Sequence, residues 1–187
     1  MKTFAKRAAM FGSLLLLVPG CELLGEFQGP DICESVATQE FKGGLPIDAA
    51  QTVKVSHRVD LSGRMPQSDT YDFELRFKEA TFTVLEGAAD LGFVDTAKLE
   101  VGAGGSEDRT LLFAYAKDPA AQALSPLVVT STTEENILPL SASGPVTVDL
   151  TLSARPPEVD TRVDVKLCFS THGNKKKVAE ETDAGTP

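Results

Sequence analysis

The chain has no tryptophan, only two histidines and only three cysteines. These shortages exclude a good deal of chemistry. There is no His-Glu-x-x-His pair, no Cys-x-x-Cys pair and no Gly-x-Ser-x-Gly elbow, so zinc hydrolysis, thiol redox exchange and α/β-hydrolase chemistry lack their parts. Aromatic residues are scarce: phenylalanine, at ten, far outnumbers tyrosine, at two, a mix that suits core filling better than base stacking. Basic residues are outnumbered 18 to 27, for a formal net charge of −9. Such a surface repels phosphate backbones and anionic headgroups, so nucleic acid is not an expected partner. Long apolar runs are missing too. The longest, Ala8 to Val18, would reach only about 16 Å as a helix, roughly half a bilayer core.

That short run is nevertheless informative. Lys2, Lys6 and Arg7 precede it and small residues follow it, the layout of a secretory signal peptide over residues 1–20. Its exit, Val18-Pro19-Gly20-Cys21, resembles the bacterial lipobox: an aliphatic residue, two positions ending in a small one, then cysteine. The resemblance covers the first 21 residues and implies a bacterial lipoprotein in which Cys21 is acylated, palmitate being a typical chain, and becomes the first mature residue. The alternative is a plain secreted protein with a cysteine near its cleavage site. Each buried methylene of an acyl chain adds about 0.8 kcal/mol, and two or more chains make a stable anchor. Glu22 stands where inner-membrane-retained lipoproteins typically carry Asp, which points to the outer membrane. Cleavage before Cys21 removes three positive charges and no negative ones, taking the formal charge from −9 to −12.

With Cys21 assigned to lipid, Cys33 and Cys168 remain as an even pair in an oxidising compartment. A bridge between them would tie the start of the domain to its last strand. Closing so long a loop is worth at most about 5 kcal/mol by chain entropy. The alternative is two unpaired thiols.

Beyond a glycine- and proline-bearing tether over residues 21–32, apolar residues recur with period two. Val53, Val55, His57, Val59 and Leu61 share one face of a strand. Tyr71, Phe73, Leu75 and Phe77 share another, until the phase slips at Glu79-Ala80 and continues through Phe82 and Val84, the signature of a bulge. Val146 to Leu152 and Val163 to Phe169 alternate cleanly, with Cys168 on the polar face. Leu111 to Tyr115 is continuously apolar, as in a strand covered on both sides. Val36 to Phe41, Ala97 to Val101, Leu127 to Val129 and Ile137 to Leu140 are further strand candidates, and Gly87 to Asp95 reads as a loop. From His172 the composition turns to Gly, Asn, Lys and acidic residues, which cannot bury a core, so residues 172–187 read as a disordered tail. Residues 33–171 are then expected to form an all-β, antiparallel two-sheet sandwich. The pattern looks like an immunoglobulin-like sandwich without the Trp and Cys spacing of true immunoglobulin domains. A small closed barrel is the runner-up.

No cofactor is called for. His57 falls on an apolar face, where a lone histidine is usually a core residue. Gly102 to Ser106 lacks the Gly-Lys-Ser/Thr ending of a phosphate loop and reads as a hairpin loop. Leu91-Gly92-Phe93 is too short a likeness to a carboxylate-binding loop to carry that function. Carboxylates gather at Asp69 with Asp72, Glu107 with Asp108, and Glu158 with Asp160, where calcium would be the matching hard cation. The expected function is therefore a membrane-anchored envelope lipoprotein displaying a non-catalytic sandwich for a structural or partner-binding role. An envelope protein is the expected partner, reached through loops or an exposed strand edge. A small-ligand or calcium-binding module is the alternative, and a hydrolase a more distant one.

Overall fold

Alternating apolar and polar residues settle into nine strands in a computed structural model that describes residues 26–46, 48–61, 64–65, 68–120 and 125–176. The strands are β1 (Glu26–Gln28), β2 (Ile32–Phe41), β3 (Gln51–Val59), β4 (Tyr71–Glu86), β5 (Val94–Ala103), β6 (Thr110–Ala116), β7 (Leu127–Thr130), β8 (Val146–Ala154) and β9 (Thr161–Lys175). All described pairings are antiparallel, in two sheets. Sheet A runs β1 and β2, end to end along one side of β9, then β9, β4 and β7. Sheet B runs β3, β8, β5 and β6. The two sheets are separate, a sandwich and not a closed barrel.

The pairing has a simple rule. β5 pairs with β6, β4 with β7, β3 with β8 and β2 with β9, so the partners are nested one inside the next. The chain is one long antiparallel ribbon folded at the β5–β6 turn and rolled up, with β4–β9 and β5–β8 contacts sealing the roll. That is the connectivity of a jelly roll. The immunoglobulin-like expectation does not account for it, because in that order neighbouring strands come from a different set of connections.

Inner faces meet in one core. Leu75, Phe77, Ala80, Phe82, Val163, Val165, Leu167 and Phe169 come from sheet A, and Ala97, Leu99, Val101, Phe113, Val148, Leu150 and Leu152 from sheet B. Phe113 bridges the sheets, stacking on Phe77 with centroids 5.6 Å apart and meeting Phe82 edge-on at 6.4 Å. Each fully buried side chain of this size contributes about 1.5–3 kcal/mol.

The phase slip in β4 is a bulge. Phe77 faces Phe169 and Glu79 faces Cys168, leaving Lys78 as the extra residue. Leu75 and Phe77 before it and Ala80 and Phe82 after it then all point inward. Several other expectations need correction. β6 is an edge strand with Leu111 43% exposed, not a doubly covered one. Its apolar run arises because a register shift opposite Leu99 and Glu100 turns both Leu112 and Phe113 into the core. Ile137 to Leu140 is not a strand, since a 3-10 helix occupies Leu138–Ser143. The span expected as tether contains β1, and β2 starts at Ile32, earlier than the Val36 expected. β9 continues to Lys175, so the domain does not stop at residue 171. Residues 1–20 and Cys21 lie outside the described residues, as does the chain beyond 176.

Candidate functional site

Cys33 in β2 and Cys168 in β9 stand directly opposite in the register and are joined by a disulfide, their Cα atoms 4.1 Å apart. Cys168 lies on the outer face of β9, in phase with Lys166 and Ser170 and outside the core as the alternation predicts, yet it is buried there. His57 is half-buried on β3 at the edge of sheet B and is not a core residue. The Gly102–Ser106 stretch forms the end of β5 and the turn after it, closed by the Ser106 N–H donating to Ala103 O at 3.0 Å.

Three connections meet at the end of the sandwich where β9 begins: residues 42–50 between β2 and β3, 87–93 between β4 and β5, and 155–160 between β8 and β9. They enclose an open cleft of about 660 Å³. Backbone lies on backbone here, which explains the glycines. A Cβ on Gly43 would sit 2.1 Å from the Val159 carbonyl carbon, and one on Gly87, at φ +103°, would sit 2.3 Å from Asp160 O. Asp160 ties the rims together, accepting from the Gly43 N–H at 2.8 Å and from Lys42 Nζ at 3.1 Å. The Gly43 N–H first, then Lys42, holds its carboxyl below the usual carboxylate range. On the far rim, Arg155 donates to Asp95 at 3.1 Å and to Gly92 O at 3.2 Å. Lys117 Nζ donates to the same Gly92 carbonyl. The floor is apolar, with Phe93, Ala88, Pro156 and Pro157, and Leu45 (45%) and Val159 (52%) stand exposed at the mouth.

A second cluster covers the outer face of sheet A. Arg76 lies between two carboxylates, Glu74 at 2.6 Å and Glu134 at 3.2 Å, and Asn174 donates to Glu74 at 3.0 Å. Ser170 Oγ and His172 Nε2 are 3.1 Å apart. Sequence reading left His172 in the tail. The signal that would have found it is strand parity, since Ser170, His172 and Asn174 extend one face of β9 and pair with Arg76, Glu74 and Asp72. A serine and a histidine two apart on one strand face are ordinary neighbours. Here the adjoining arginine is already engaged by carboxylates. The cluster reads as a partly buried polar face held together by its own ion pairs and hydrogen bonds.

Among the described residues, no three or more His, Cys, Asp and Glu side chains converge as a metal site requires. Of the carboxylates singled out in the sequence, Asp160 is engaged as above and Asp72 lies 3.9 Å from Lys176.

No family model matches the chain, and no curated protein does. Among solved structures it is similar to the decameric BFDV capsid protein, with 9% identity over 81% of this chain and 99% of that one, at a TM-score of 0.47. It is also similar to the Desmodium yellow mottle tymovirus structure, with 15% identity over 96% and 98% of the two chains and a TM-score of 0.32. The infectious bursal disease virus Gx strain structure follows at 10% identity, 82% and 34% coverage and a TM-score of 0.30. At these scores the likenesses bear on neither family nor function.

Proposed function

We propose that the chain is a membrane-anchored envelope lipoprotein whose sandwich has a non-catalytic, partner-binding role. The observation that carries this reading is the joined pattern of Lys2, Lys6 and Arg7, the apolar run to Val18, and the lipobox-like Val18-Pro19-Gly20-Cys21. The fold sets how such an anchor would hold the domain. β1 enters the sandwich only five Cα–Cα steps after Cys21, at the end where β9 finishes, and the loop cleft lies at the end where β9 begins. Fifteen residues of β9 separate the two ends, roughly 50 Å at about 3.3 Å per residue. An anchor at Cys21 would therefore present the cleft, with Leu45 and Val159 at its mouth, away from the bilayer.

Intact mass of detergent-extracted protein tests the reading. A mass exceeding the chain from Cys21 by acyl groups is expected, and Cys21→Ala should move the protein from the membrane to the soluble fraction. A bare chain in the soluble fraction of the unaltered protein would overturn it.

A further inference from the structure

Sheet A outruns sheet B. Its long strands β4 and β9 hold 16 and 15 residues, against seven to ten for each strand of sheet B. At the end where β1 enters, the inner face of sheet A therefore continues past the core. Leu75 and Thr171 are still buried, but Phe73 and Tyr71 beyond them are half-buried and Phe27 is 41% exposed. Phe27 packs on Gly173, its register partner, where an added Cβ would lie 2.2 Å from the ring. The same ring meets Tyr71 and Phe73 edge-on, with centroids 5.1 and 5.9 Å away. Three aromatic rings are thus fixed against one another on a ledge that the described residues cover only in part.

We infer that this ledge of Phe27, Tyr71 and Phe73 is a seat for the bilayer interface into which Cys21 is anchored; the inference rests on the lipoprotein reading above. Two observations commit it to a lipid surface. Phe27 lies six residues from Cys21, and the five steps to Glu26 span at most roughly 18 Å, so an acylated Cys21 holds this end of the domain at the membrane. Tyrosine is enriched at headgroup depth, and phenylalanine is among the side chains that interfacial segments bury at the acyl boundary. Tethering makes the second contact intramolecular, so even a weak seat is occupied. Charge plays little part. Glu26, Asp69 and Asp72 nearly balance Lys175 and Lys176 at this end, and Lys176 is drawn toward Asp72 and donates to Ser68 O at 3.1 Å. The seat is therefore expected to need no anionic lipid.

The absence of tryptophan makes a direct test available. Phe27→Trp and, at the distal cleft, Val159→Trp each give a protein with a single reporter. The chain from Cys21, with Cys33 and Cys168 oxidised, offers one free thiol, which can be coupled to a maleimide-headgroup lipid in phosphatidylcholine vesicles. Brominated phosphatidylcholine should then quench most of the Phe27→Trp emission and leave Val159→Trp emission unchanged. Tyr71→Trp, as a second reporter on the ledge, should behave as Phe27→Trp. Unquenched emission from both ledge reporters on coupled vesicles would overturn the seat, and quenching abolished by high salt would overturn its aromatic basis. Because coupling supplies the anchor, the result is independent of the intact-mass test. Acylated protein with unquenched ledge reporters sinks the seat alone, whereas bare protein with quenched reporters sinks the lipoprotein reading and the seat with it, leaving only a ledge that meets a bilayer when artificially tethered.

Discussion

Two residue-level contacts give the domain measurable handles. The Cys33–Cys168 bridge closes a loop of 135 residues, and removing both sulfurs with Cys33→Ala and Cys168→Ala should cost about 2–5 kcal/mol, read as a lowered urea midpoint. An unchanged midpoint would mean the unfolded chain holds these strands together without the bridge. Asp149, on the outer face of β8, accepts from Ser56 Oγ and from Arg109 Nε at 2.5 Å. The Ser56 hydrogen bond, and then Arg109, hold its carboxyl below the ordinary range. A depressed carboxyl contributes stability that is full above the ordinary value of about 4 and is lost as pH falls through the folded value. Asp149→Asn should therefore cost about 0.5–1 kcal/mol at pH 7, the upper part of the range for a surface ion pair, and less at acid pH, where the unaltered protein has lost the same contribution. Equal losses at both pH values would refute that assignment.

At the scale of the strand, the bulge at Lys78 decides which side chains enter the core. Ala80 is fully buried because of it, while Glu79 is half-exposed and Lys78 turns outward to Asp31 at 2.6 Å. Ala80→Asp should cost about 3 kcal/mol or more by burying an unpaired charge, whereas Glu79→Gln should stay within about 0.5 kcal/mol. Thermal unfolding of the two variants checks this, and tolerance of Ala80→Asp would mean the inward parity is wrong. This slip was legible in the sequence, because period two reports which face a residue takes and a change of phase reports an extra residue. The disulfide was legible too, once Cys21 was set aside. Less legible were the features that depend on a partner strand. β1 is three residues long and exists because the far half of β9 offers it an edge; His172 is in a strand because β4 is long enough to need a partner there. The double inward turn at Leu112 and Phe113 is invisible as well, since a continuous apolar run has the same composition whether it is covered on two sides or bulged. Of the candidate site, the glycines and prolines of the distal loops could be read as turns, but nothing local said that three of those loops converge.

For the whole molecule, nesting implies an order of assembly. The innermost pair, β5 with β6, joins strands close in sequence, exemplified by Leu99 opposite Phe113. The outermost pair, β2 with β9, joins the two ends of the domain, as Val36 opposite Val165 and Cys33 opposite Cys168 show. Loop-closure entropy favours forming the local pair first and the distant pair last, and a topology so rich in non-local pairing places folding in the millisecond-to-second range. The outermost pair is then still open at the folding transition state. A bridge across an open pair lowers the entropy of the unfolded chain and of the transition state alike, so its stabilisation falls on the unfolding rate. Reducing Cys33–Cys168 should therefore leave the refolding limb of a chevron nearly in place and speed unfolding by roughly thirty-fold to several thousand-fold, the equivalent of about 2–5 kcal/mol. Slower refolding with unchanged unfolding would show the reverse: β2 already docked on β9 at the barrier, and the ribbon closing at its ends before it zips at its turn.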